Sequence, residues 1–153
     1  MRKDSDMKNL ILIVMLILTL GCQTKNDMKE QQRDIIENYI KSYNDFDIIG
    51  MTKNLSKDVV FENVSNGNVE LRTEGIDEFK KQAESAKQYF TQRKQTIEFW
   101  EFNNSKVSVE IDYKATLAID FPNGLKTGDT LELKGISEFE FESGKIKSIT
   151  DKS

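Results

Sequence analysis

The chain has no histidine, one cysteine and one proline. Without histidine it lacks the commonest general base and the commonest metal ligand. Cys22, being alone, can form neither an internal disulfide nor a thiolate zinc site. Acid–base work therefore falls to Asp, Glu, Lys, Tyr, Ser or Thr, and neither a metal nor another cofactor is expected. One proline and eight glycines in 153 residues argue against a disordered or low-complexity chain. There is no dense basic stripe, with 22 basic against 26 acidic side chains, so a nucleic-acid partner is not expected. Long apolar runs are also missing, apart from residues 10–20. That run is shorter than the ~20 residues a bilayer span needs and reads as a signal-peptide core.

The run closes in Leu18-Thr19-Leu20-Gly21-Cys22, which resembles the lipobox of bacterial lipoproteins. Gly21 and Cys22 match its most constrained positions, while Thr19 replaces the usual leucine and Leu20 is bulkier than the usual small residue. The resemblance implies cleavage before Cys22, acylation of that cysteine, and anchoring to a membrane of the bacterial cell envelope. The plainer alternative is a free cysteine behind an ordinary secretory leader. A start at Met7 gives a cleaner leader than one at Met1. The chain then divides into a signal peptide over 1–21, a polar tether over 22–31 and one domain over 32–153. Without Arg2, Lys3, Lys8, Asp4 and Asp6 the mature part keeps 19 basic and 24 acidic groups, mildly acidic and large enough for a real core.

Periodicity orders the domain. Ile35, Ile36, Tyr39, Ile40 and Tyr43 recur at helical spacing, and Asp47 is placed to N-cap a second short helix reaching about Leu55. Alternation over Asp58–Val64 and Val69–Thr73, around the turn Ser65-Asn66-Gly67-Asn68, predicts a hairpin. Gly75 opens a third helix ending near Thr91, with Ile76, Phe79, Ala83, Ala86, Tyr89 and Phe90 on its buried stripe. Strands follow over 94–102, 106–121, 130–141 and 145–150. The stretch from Lys106 to Phe121 sets Val107, Val109, Ile111, Tyr113, Ala115, Leu117, Ile119 and Phe121 on one face, with Ala118 the only lapse on the other. At ~3.3 Å per residue it spans roughly 50 Å and must bend. The fold class is thus α+β, a curved antiparallel sheet wrapped over three helices from the N-terminal half.

This order, with Gly75-Ile76-Asp77-Glu78-Phe79 opening the third helix and with Asp58–Asn63 and Ile136–Phe141 as strand patterns, resembles the nuclear transport factor 2-like superfamily, a cone-shaped, cystatin-like fold. The superfamily includes SnoaL-like polyketide cyclases, ketosteroid isomerase and scytalone dehydratase. The resemblance implies a conical pocket closed by helices and, in many members, a homodimer through the outer sheet face. The catalytic tyrosine of ketosteroid isomerase falls at Tyr39, but its carboxylate base falls at Asn63 and its protonated acid at Ser137. Scytalone dehydratase-like chemistry relies on a histidine, which is absent. SnoaL-type cyclases use a pocket acid, yet strand parity turns Glu62, Glu138, Glu140, Asp112 and Asp120 away from the Phe61 and Phe139 face.

No catalytic set is therefore assigned. Tyr39, Phe61, Asn63, Phe79, Tyr113, Ser137 and Phe139 are the candidate pocket residues, polar points in an aromatic wall. Ordinary packing also accounts for them: a core helix tyrosine at 39, a turn-stabilising residue at Asn63, a small core residue at Ser137. The leading expectation is a lipid-anchored, non-catalytic binder of a small apolar molecule or an envelope protein. The alternatives are an isomerase, cyclase or dehydratase using Tyr39 with an unplaced carboxylate, and a structural dimerisation module.

Overall fold

The computed structural model of the protein describes residues 25–153. Cys22 and the apolar run before it lie outside the described residues. The chain divides into two compact units, Met1–Asp34 and Ile35–Ser153, and the second carries the fold. Helix α1 covers residues 25–44, so residues 25–31, expected within a tether, are helical. Then come α2 (Ile48–Thr52), β1 (Leu55–Ser65), β2 (Asn68–Glu74), α3 (Ile76–Lys87), β3 (Phe90–Asn103), β4 (Lys106–Leu117), β5 (Thr130–Glu142) and β6 (Lys145–Lys152). Among the described residues no helix is long and apolar enough to cross a membrane.

The six strands form one sheet in the order β2-β1-β6-β5-β4-β3. Four pairings are antiparallel, as the alternation predicts, and the fifth differs: β1 and β6 run parallel. Hairpin logic joins neighbours in sequence, but a parallel partner must arrive by a long route, here the whole chain between the first and last strands. Ile35, Ile36, Tyr39 and Ile40 of α1, Phe79 and Ala83 of α3, and the inward residues of the sheet make a single core. Val59, Val107, Phe139, Ile146 and Ile149 in it have no exposed surface.

Local chemistry fixes the ends of the elements. Asp47 N-caps α2, its carboxylate accepting from the Gly50 amide at 2.9 Å. Gly75 opens α3 at a φ of 85°, its amide bonded to the Val59 carbonyl at 2.8 Å; a side chain is disfavoured at this positive φ. Strand β4 stops at Leu117, short of Phe121, because its end is tied down. The Ala118 amide donates to the Tyr89 carbonyl at 2.8 Å, and Asp120 accepts from the Thr127 amide at 2.9 Å to hold the 118–129 connection.

Two irregularities place side chains that strict alternation misplaces. A bulge in β3 between Ile97 and Phe99 shifts the parity by one residue, so Phe99 is 58 % exposed while Trp100 and Phe102 pack against the core. In β5 a Cβ on Gly135 would stand 2.5 Å from the Lys152 carbonyl oxygen. Only glycine lets the end of β6 approach this closely. The outward face of the sheet carries cross-strand ion pairs, Lys106 and Lys152 on Glu138 and Lys134 on Asp112. Those acids point away from the core, as parity requires.

Candidate active site

The site is assembled where β6 runs between β1 and β5. Asp151 is the neighbour of Asn63 across the parallel pairing and of Ser137 across the antiparallel one. Three strands therefore line up an amide, a carboxylate and a hydroxyl in one row. Ile149 is fully buried on the same face two residues earlier, so strand period turns Asp151 inward too. The Ser137 hydroxyl donates to its Oδ1 at 2.6 Å. Enclosure by protein pushes the Asp151 carboxyl up to about 6, and the Ser137 hydrogen bond holds it below where burial alone would leave it.

Above the row stands α1. Tyr39 and Tyr43 are one helical turn apart and share a face. Tyr39 packs edge-on against Phe139 at 5.7 Å and beside Phe79 at 6.4 Å. The Tyr43 hydroxyl reaches the Tyr113 hydroxyl at 3.4 Å. Burial raises all three phenols, and for Tyr39 the Asp151 charge adds to it. At neutral pH these tyrosines keep their protons and can donate hydrogen bonds. The end of α1 is fixed to β3 by Asn44, which donates to the Gln95 carbonyl at 3.0 Å and accepts from its amide at 2.7 Å.

Two chambers share Asp151 as a lining residue. An outer cleft of about 280 Å³ is lined by Tyr43, Asn63, Phe90, Tyr113, Leu133 and Ser137. An inner chamber of about 180 Å³ lies among Tyr39, Phe61, Asn63, Phe79 and Arg93. Tyr43, Asn63 and Asp151 line both. Of the residues proposed from sequence, Tyr39, Phe61 and Phe79 face the inner chamber, Tyr113 and Ser137 the outer, and Asn63 both. Phe139 lines neither; it is fully buried beneath Tyr39. Among the described residues no group of acidic or cysteine side chains could hold a metal ion.

Strand parity placed no carboxylate in the interior and left the enzyme alternative's acid unplaced; Asp151 is one that it missed. The last strand was expected to end at Thr150, one residue short, and its alternation through Ile149 carries the missing signal. Arg93 was missed likewise, since β3 begins at Phe90 rather than Lys94.

A curved six-stranded sheet covered by helices from the first half of the chain, with two chambers that share a carboxylate in their lining, defines an α+β domain of the nuclear transport factor 2-like fold. The chain belongs to the SnoaL-like domain family, whose family model matches residues 36–149. Among solved structures it resembles a candidate polyketide cyclase of Xanthomonas campestris, at 18 % identity and a TM-score of 0.70 over 82 % of this chain and 92 % of that one. The candidate hydroxylase AclR of Streptomyces galilaeus is similar at 21 % identity and a TM-score of 0.64, covering 81 % and 88 %. A protein of ketosteroid isomerase-like fold from Catenulispora acidiphila, solved with trimethylamine, gives 11 % and 0.64 over 76 % and 82 %. No relative matches among curated proteins.

Proposed function

We propose that the domain is a proton-transfer enzyme of the isomerase or cyclase kind, acting on a small, largely apolar carbonyl compound. The observation that carries this reading is Asp151, a half-buried carboxylate that lines both chambers, with its pKa moved toward neutrality. A base works best when its pKa lies near the working pH. Above about pH 6 the carboxylate is ionised and takes a proton from the carbon next to the substrate carbonyl. The electron pair left behind moves onto the carbonyl oxygen as an enolate. The paired hydroxyls of Tyr43 and Tyr113 line the same cleft and supply donors for that oxygen. Returning the proton to another carbon completes an isomerisation; where the enolate instead adds to a second carbonyl, a ring closes and the new alkoxide takes the proton back from Asp151. Ser137 orients the carboxylate. The name of the Xanthomonas neighbour, a candidate polyketide cyclase, fits this class of chemistry; that of the Streptomyces neighbour, a candidate hydroxylase, names a different one.

Incubating the protein with β-dicarbonyl compounds in deuterated buffer and following α-proton loss by NMR tests the proposal. Exchange should rise with a midpoint near pH 6, and Asp151→Asn should slow it about 10²- to 10⁴-fold. Undiminished exchange in that variant would sink the mechanism.

The export reading stands beside it as a proposal: the apolar run and Gly21-Cys22 support lipid anchoring of the mature chain at the cell envelope. Acyl groups on the N-terminal peptide by mass spectrometry, lost in Cys22→Ser, are the expected result.

A further inference from the structure

Arg93 is only 5 % exposed and lines the inner chamber. Its Nε donates to the Tyr43 carbonyl at 2.7 Å. The guanidinium carbon lies 3.7 Å from the centre of the Tyr43 ring and 4.3 Å from that of Phe46. Phe46 holds a φ of 57°, a conformation an aromatic residue keeps only when its surroundings impose it. The guanidinium is thus clamped by the end of α1. Its Nη2 is sealed from solvent and has no hydrogen-bond partner. The chamber's own acid is not its partner: Asp151 accepts from the Ser137 hydroxyl, and Nη2 makes no hydrogen bond to it. A buried cation with an uncommitted N–H group is costly unless an anion completes it.

The inner chamber suits such an anion. Met51, Phe61, Leu71 and Phe79 give it apolar walls. Its volume is about 180 Å³, and an apolar cavity of roughly 150 Å³ accepts benzene. One ring or a short branched chain with a small polar group fills it. Guanidinium N–H groups match carboxylate oxygens in shape and charge. Resting on the reading of these chambers as a substrate site, we infer that Arg93 anchors a carboxylate on the substrate, which makes the substrate class small aryl or alkyl keto acids. The carboxylate docks in the inner chamber, and the rest of the molecule passes Asp151 toward the outer cleft.

The test is calorimetric titration of the full chain with benzoate and with its neutral counterpart benzamide. Wild type should bind benzoate about tenfold or more tighter, the scale of one charge-assisted hydrogen bond. Arg93→Met should erase that preference and leave benzamide affinity within about twofold, while Arg93→Lys should keep part of it. Equal affinities in wild type, a preference that survives Arg93→Met, or no saturable benzoate binding in the millimolar range would each overturn the inference. Should Arg93→Met fail to fold, the wild-type ratio still decides. A second wild-type readout is the Arg93 guanidinium resonance, expected to shift with benzoate and not with benzamide. Asp151→Asn separates this inference from the proposed chemistry: it should bind benzoate at least as tightly as wild type while losing proton exchange. A lost benzoate preference with intact Asp151-dependent exchange removes the carboxylate anchor alone.

Discussion

Replacing Asp151 with Asn should make the protein more stable at neutral pH. The carboxyl titrates near 6 in the folded chain against an ordinary value of 3.8. A group whose folded pKa is raised favours folding when protonated. Its contribution is complete below about pH 4 and is lost as pH rises through about 6. Roughly two units at 1.36 kcal/mol each give a cost of about 3 kcal/mol for the ionised acid above about pH 7. Asparagine is nearly the same shape, can still accept from the Ser137 hydroxyl, and never ionises. Urea unfolding followed by Trp100 fluorescence should therefore show Asp151→Asn more stable by up to about 3 kcal/mol near pH 7.5, and by less than about 1 kcal/mol near pH 4. An equal gap at both pH values would mean that the gain comes from packing rather than from the charge. No gain at neutral pH would mean that the carboxylate is solvated, and the case for a tuned base would go with it.

Three further outcomes can be checked. Ser137→Ala removes the hydrogen bond that lowers the Asp151 carboxyl, so the exchange midpoint should move up from about 6 by about one unit. Tyr113→Phe removes one hydroxyl of the Tyr43 pair; exchange should fall about tenfold while urea stability changes by less than about 1 kcal/mol. Gly135→Ala drives a methyl against the Lys152 carbonyl and should cost about 1–3 kcal/mol in urea unfolding while disturbing Asp151 next to it.

The sequence disclosed the fold because long stretches obey one period. Lys106–Leu117 alternates without a lapse, and the Asn66-Gly67 and Ser143-Gly144 turns adopt the positive φ values that hairpins between right-twisted strands require. What stayed hidden depends on events a period does not record. One extra residue in β3 turned Phe99 outward. The parallel pairing of β6 with β1 joins the last strand to the first, which no local pattern states. The site suffered most, because its acid and its buried cation sit near strand ends, at Asp151 and Arg93, where boundaries read from sequence are least sharp. Comparison with ketosteroid isomerase looked for carboxylates at Asn63 and Ser137. The acid instead stands between them, on the adjoining strand.

The place of β6 in the sheet has a consequence for how the protein comes into being. Made last of the strands, it sits between β1 and β5; without it the sheet falls into a hairpin, β2-β1, and a separate three-stranded piece. Phe79 of α3 covers Phe61 on one piece and Tyr39 of α1 covers Phe139 on the other, but the core that joins them lacks the fully buried Ile146 and Ile149 until residues 145–152 are available. Pairing across so long a loop is slow, and the wait leaves apolar strands open to helper proteins or to aggregation. The same segment delivers Asp151. Assembly and chemical competence are thus reached in one step, and a chain cut short before β6 has neither a closed fold nor a base.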